Sequence, residues 1–144
     1  MILPLPRKLT NCYITCLLLS LSLGVSGQTP LIEATKIQNK NVVTELLEQG
    51  ADVSEPQGDG GTALHWSVYR NDIDLTELLL RHGAEVNATD DHGVTALSLA
   101  SLNNNPQLLR VLLKQGADVN LARINGDSPL MIAASVGNTE VLGL

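Results

Sequence analysis

Two markers recur along this chain on the same beat. Gly50-Ala51-Asp52 returns as Gly83-Ala84-Glu85 and as Gly116-Ala117-Asp118, so the marker starts at positions 50, 83 and 116. Thr29-Pro30-Leu31 returns as Thr62-Ala63-Leu64, Thr95-Ala96-Leu97 and Ser128-Pro129-Leu130, with the same step between starts at 29, 62, 95 and 128. Two unrelated markers locked to one period restrict the chain to a repeat architecture, in which each unit buries its apolar face only against its neighbours.

One unit shows the physics. Gly60-Gly61 marks a turn, because glycine accepts positive φ at little cost. Thr62 stands where a helix N-cap belongs, its hydroxyl free to accept a backbone N–H. A short helix is predicted over Ala63 to Tyr69, with small residues that let a neighbouring helix come close. Asn71-Asp72 breaks it. A second helix is predicted from Asp74 to His82, carrying Leu75, Leu78, Leu79 and Leu80, and Gly83 follows as a left-handed C-cap. The next unit repeats the pattern. Thr95 caps a helix over Ala96 to Leu102, Asn103-Asn104-Asn105 breaks it, and Pro106 opens a second helix where its missing N–H costs little. Gly116 ends that helix.

These residues resemble the ankyrin repeat. The matching pieces are Gly60-x-Thr62-Ala63-Leu64-His65, the run from Leu78 to Asn87, and the run from Val111 to Asn120. The resemblance covers essentially all of the chain from Gln28 onward. It implies an all-α solenoid of helix-turn-helix units with β-hairpin fingers projecting from the stack, about 3.5 repeats in all: 28–56, 57–89, 90–122 and an incomplete 123–144. The family's histidine after the Thr-Pro-Leu marker occurs only as His65; Ile32, Ser98 and Met131 replace it, which predicts a thinner hydrogen-bond network. Glu33 stands where later repeats carry Trp66, Leu99 and Ile132. A charge at that position marks the first repeat as an N-terminal cap. The fourth repeat stops inside its second helix, without the leucines and Gly-Ala cap of the others. An incomplete piece of a longer array is the expectation, with a frayed last turn as the alternative.

The segment 1–27 differs in kind. Arg7 and Lys8 precede an apolar run from Cys12 to Val25, and Val25-Ser26-Gly27 closes it with small residues. That is the pattern of a secretory signal peptide. The run is about 14 residues, against the roughly 20 that span a bilayer, so a cleaved leader is expected over an uncleaved membrane anchor. Both cysteines, Cys12 and Cys16, lie in this segment. The remainder then depends on its core, with no disulfide. The whole chain has a net charge of −6 from nine Lys and Arg against 15 Asp and Glu. Loss of Arg7 and Lys8 leaves seven against 15, or −8. Such a surface repels phosphate backbones, and two remaining aromatics, Trp66 and Tyr69, offer little for base stacking. No nucleic acid is expected as a partner.

No catalytic constellation has a framework here. His65 has a place in the repeat, His82 ends a helix and His92 sits at a finger tip, without the converging ligands a metal needs. Gly58-Asp59-Gly60-Gly61 lacks the Lys-Ser or Lys-Thr of a phosphate loop. Asn87-Ala88-Thr89 fits a glycosylation acceptor but coincides with the repeat's own Val-Asn-Ala. No cofactor, metal or catalytic residue is expected. The resemblance instead implies a concave groove lined by finger tips and the exposed ends of the first helices. On this chain its residues are Asp59, Tyr69, Arg70, Asp91, His92, Leu102, Asn103, Asn125 and Asp127, with Tyr69 beside Arg70 as the leading hot spot. Asp59, Asp91 and Asp127 form an acidic edge that favours a basic partner surface. The expected protein is an exported, monomeric interaction module, periplasmic or secreted, that binds a protein partner. The competing reading is the N-terminal recognition arm of a larger enzyme or transporter.

Overall fold

Thr29, Thr95 and Ser128 each turn a side-chain oxygen onto a backbone N–H three positions ahead, and at these points the chain enters a helix. A computed structural model describes residues 29–137. The expected leader over 1–27 and the second helix of the fourth repeat lie outside the described residues. Seven helices follow in order among the described residues: α1 (Pro30–Lys36), α2 (Lys40–Glu48), α3 (Ala63–Tyr69), α4 (Ile73–Arg81), α5 (Ala96–Asn103), α6 (Pro106–Lys114) and α7 (Pro129–Ser135). The second helices begin on side-chain caps as well, at Asn39, Asp72 and Asn105. Asp72 starts α4 one residue earlier than the apolar pattern alone indicates.

The first helices α1, α3, α5 and α7 pack side by side in one row, each against the next, and each of the first three holds its own second helix behind it. Close approach in the row is made possible by small side chains at equivalent places. Ala34, Ser67, Ala100 and Ala133 keep the period of the repeat and are all buried. Between them run Leu31, Leu64 and Leu97, with Leu75, Leu79, Leu108, Leu109 and Leu112 closing the core from the second-helix side. The middle helices α3 and α5 are covered on both sides. This explains why α5 buries Ala96, Leu97, Ser98, Ala100 and Ser101 rather than a single stripe. Buried hydroxyls are satisfied locally: Ser67 donates to the Leu64 carbonyl at 2.9 Å and Ser101 to the Leu97 carbonyl at 2.9 Å, since an unmade bond there would cost more than a made one gains.

A third periodic feature is marked in the sequence only in part, by the asparagine breaks at Asn71 and Asn104. The turn between the two helices of each repeat passes through the left-handed region at Gln38 (φ 55°), Asn71 (φ 59°), Asn104 (φ 51°) and Gly137 (φ 72°). Asparagine and glycine tolerate this conformation; glutamine has no such compensation. Gln38→Gly is therefore expected to raise stability by up to about 1 kcal/mol, the left-handed penalty relieved less the extra chain entropy of glycine. Denaturant midpoints of the two proteins check it. A lowered midpoint would mean that the Gln38 contact to Asp72, 3.2 Å long and exposed, outweighs the strain.

The fingers are turns closed across their arms by the bonds from Gln57 N–H to the Gly61 carbonyl at 2.8 Å, Asp90 to Val94 at 3.1 Å and Arg123 to Asp127 at 3.0 Å, each with a second, tighter-looped bond returning from Gly60, Gly93 or Gly126 to the first of these residues. Ladder pairing is limited to a single antiparallel bridge between Thr89 and Thr95, and no strand forms among the described residues. The N-cap follows the turn at once, so the finger's second arm becomes helix before a ladder can extend. Successive fingers are joined backbone to backbone, Asp91 N–H to the Asp59 carbonyl at 2.9 Å and Ile124 N–H to the His92 carbonyl at 3.0 Å.

The Gly-Ala loops are tied across repeats too. Glu85 N–H donates to Ser54 Oγ at 3.0 Å. One repeat on, Asn87 makes a two-point clip, its Nδ2 donating to the Gly116 carbonyl at 3.2 Å and its Oδ1 accepting from Asp118 N–H at 2.8 Å. The amide of the Asn87-Ala88-Thr89 tripeptide is thus committed to the stack.

Candidate functional site

The groove is built where finger turns face the row of first helices. Residues three apart on a helix share a face, so each of the first three such helices contributes two positions: Glu33 and Lys36 from α1, Trp66 and Tyr69 from α3, Leu99 and Leu102 from α5. The middle rungs are apolar and the first is charged. Trp66 is half-buried, whereas Tyr69 is 60% exposed and Leu102 49%. The Trp66 and Tyr69 rings meet edge to face, with centroids 5.6 Å apart at 82°, the geometry that sets the positive edge of one ring on the negative face of the other. Lys36 Nζ lies 4.7 Å from the Trp66 ring centroid and 2.8 Å from Glu33 Oε1. The carboxylate in the apolar series is therefore partnered by Lys36, which bridges it to the next rung.

Between α3, α5 and the two fingers above them lies a pocket of about 210 Å³. Trp66, Tyr69, Leu99 and Val94 form its apolar wall, and Gln57, Asp59 and Asp90 its polar rim. His65 supports the wall from behind. Its Nδ1 accepts the Thr62 N–H at 3.1 Å, so Nε2 carries the proton and donates to the Val94 carbonyl at 2.9 Å. One imidazole thereby caps α3 and holds the next repeat's finger. In the following repeat the two tasks are divided. Ser98 Oγ accepts the Thr95 N–H at 3.0 Å, and Arg123 reaches back from the next finger to Ser98 Oγ at 3.5 Å. The network predicted to thin at Ser98 is partly rebuilt by a residue 25 positions on. At Ile32 no side-chain acceptor is available.

Asp59 anchors the rim. Gly61 N–H donates to its Oδ1 at 2.9 Å and Gln57 Nε2 to its Oδ2 at 3.0 Å. These bonds, Gly61 first and Gln57 second, hold the carboxyl below its usual 3.8, with a smaller contribution from the Lys36 charge and a partial offset from burial. A lowered carboxyl stabilises the finger above the ordinary value and stops doing so as pH falls through the lower folded value. The Gly61 amide resonance is accordingly expected to titrate below pH 3.8, and not in Asp59→Asn; a midpoint above that pH would contradict the bonding pattern.

The remaining groove candidates are placed differently. Asp91, His92, Leu102, Arg70, Asn103 and Asn125 are exposed. Asn103 Nδ2 donates to the Val68 carbonyl at 2.8 Å, which ties α5 to the end of α3. Asn125 Nδ2 pairs with Asp127 Oδ2 at 2.6 Å within one finger tip. The pocket unites Asp59 and Tyr69 from the predicted set. It adds Trp66, Leu99 and Asp90, which sequence reasoning left as stacking or turn residues, beside Val94, a finger-tip position of the implied groove. The available signal was Trp66 three positions before Tyr69 on one helix face. Among the described residues, no three His, Cys, Asp or Glu side chains converge to hold a metal.

Comparison with known proteins gives the family. Neurogenic locus notch homolog protein 2 of Homo sapiens and of Mus musculus is 40% identical over 53 residues. Neurogenic locus notch homolog protein 1 of Danio rerio is 38% identical over 53 residues. Each match covers 37% of this chain but spans only 2% of the relative's length. The family model for ankyrin repeats matches in three copies, over residues 8–90, 38–123 and 89–144, the first reaching into the expected leader. With the period, the capped helix pairs and this match over nearly its whole length, the chain belongs to the ankyrin-repeat family.

Proposed function

We propose that the chain is an exported interaction module that engages a protein partner through the concave face, with Tyr69 and Leu102 as principal contacts. Ankyrin repeats are protein-interaction modules, which gives the class. The observation that supports the choice of face is the exposed apolar ladder. Tyr69 and Leu102 stand in register, 60% and 49% exposed, beside the half-buried Trp66 and Leu99. Apolar side chains aligned on one concave face and rimmed by carboxylates have the composition of a docking patch. A rigid stack also binds with little ordering cost. The partner is a protein with a basic surface, in keeping with Asp59, Asp90 and Asp91 along the fingers. The module acts as a monomer, without cofactor or catalysis.

The experiment is affinity capture from the source organism's extract with three proteins. Wild type is expected to retain a partner that Tyr69→Ala/Leu102→Ala loses at least about tenfold, while Arg81→Ala/Lys114→Ala on the opposite side retains it. Loss confined to the second pair would overturn the choice of face. For export, expression of the whole chain in a secreting host should yield a protein starting at Gln28. Recovery from the cell with Met1 intact would refute the leader.

A further inference from the structure

The pocket beside Tyr69 has more chemistry than a generic contact requires. At about 210 Å³ it lies below the roughly 300–1,000 Å³ that holds a drug-sized ligand, so it suits a single inserted side chain. One wall is aromatic and aliphatic, from Trp66, Tyr69 and Leu99, and its rim carries the Asp59 and Asp90 carboxylates. An apolar side chain would satisfy the wall and strand the carboxylates in a drier setting. An anion would be repelled by both. A cation with a long apolar stem satisfies wall and rim together.

We propose that this pocket receives an arginine side chain from a segment of the protein partner, its methylene stem against Tyr69 and Leu99 and its guanidinium at Asp59 and Asp90. The proposal rests on the concave-face reading above and names the chemistry that face selects. Three observations favour it. The protein already sets a cation against this aromatic pair, with Lys36 Nζ 4.7 Å from the Trp66 centroid. At Asp90, the finger's own bonds fall on Oδ1, which accepts from His92 N–H at 2.9 Å and Val94 N–H at 2.8 Å; Oδ2 is the oxygen for an incoming donor. The two carboxylates come from successive fingers joined by the Asp91 to Asp59 backbone bond of 2.9 Å, so their spacing is set before anything binds. Arginine is preferred to lysine because its planar fork can serve two carboxylates while stacking on a ring.

Trp66 is the chain's one tryptophan, so its fluorescence reports this pocket alone. The probes are blocked pentapeptides, glycine at four positions and arginine, citrulline, lysine or leucine at the centre. The arginine probe is expected to shift Trp66 emission saturably. Citrulline, which keeps the shape and removes the charge, should bind roughly tenfold more weakly, with lysine between them. Asp90→Asn preserves the Oδ1 acceptor of the turn and should weaken the arginine probe by a similar factor; Tyr69→Ala, at an exposed position, should do so without lowering the melting temperature. Equal binding of citrulline or leucine, or no saturable response to arginine, overturns the assignment. A captured partner that is lost by Tyr69→Ala/Leu102→Ala but kept by Asp59→Asn/Asp90→Asn also overturns it and leaves the concave-face reading intact. Selective binding of the arginine probe supports the pocket even if no captured partner depends on the concave face.

Discussion

Leu97→Ala is expected to destabilise the protein by about 2–5 kcal/mol. Leu97 is 1% exposed, on α5, the helix packed between α3 and α7. Truncation removes buried methyl groups and leaves a cavity, and the row cannot close over it, because Ala96 and Ala100 on the same helix already sit fully buried against their neighbours. Natural domains hold only about 5–15 kcal/mol in total, so this one change takes a large share. In a stack it is felt in both flanking interfaces at once. Denaturant midpoints measure the loss, with Leu102→Ala as control. Leu102 lies on the same helix but is 49% exposed, and its truncation should change stability by about 0.5 kcal/mol or less. Equal losses at the two positions would mean that α5 is not covered on both sides.

The second large effect is at the finger turns. Gly93 has φ +72°, and a Cβ there would lie 3.1 Å from Arg123 Cα and 3.3 Å from Ile124 N. Both are backbone atoms of the next finger and cannot rotate away. Gly93→Ala therefore carries the left-handed penalty of about 1–2 kcal/mol. To this it adds displacement of the following finger and weakening of the 3.0 Å bond from Ile124 N–H to the His92 carbonyl, a further contribution of roughly 0.5–1.5 kcal/mol. Gly126 separates the two contributions. It has the same role one repeat later and φ +89°, but a Cβ there meets nothing within 4 Å among the described residues. Gly126→Ala should show the conformational penalty alone. Matching losses in the two variants would mean that finger contact contributes nothing.

The helix pairs were legible because their signals are local. A threonine or serine cap, a short apolar run and a glycine after the last turn act over a few residues, and the predicted Ala63 to Tyr69 helix coincides with α3. The start of α4 was set by Asp72, a cap that the leucine spacing does not encode. The left-handed turn at Gln38 was invisible, since glutamine carries no preference for it and the neighbouring helices impose the angle. The groove was half legible. Exposed Tyr69 followed from the resemblance, but Trp66 and Leu99 were read as stacking residues, and only the fingers' closeness to α3 and α5 turns that stack into a pocket. Arg123 shows a further limit, as its bond to Ser98 pairs residues 25 apart whose types do not advertise each other.

The pocket straddles a seam. Trp66, Tyr69 and Asp59 belong to one repeat, and Val94, Leu99 and Asp90 to the next. For the stack to come apart there, anything seated in the pocket must first let go of one side. A bound segment is thus a rivet as well as a passenger. Its residence time sets how often the two repeats separate, and its concentration relative to Kd sets how much stability it adds. The partner would then decide whether the array answers a pull as a stiff rod or as a chain whose links open in turn.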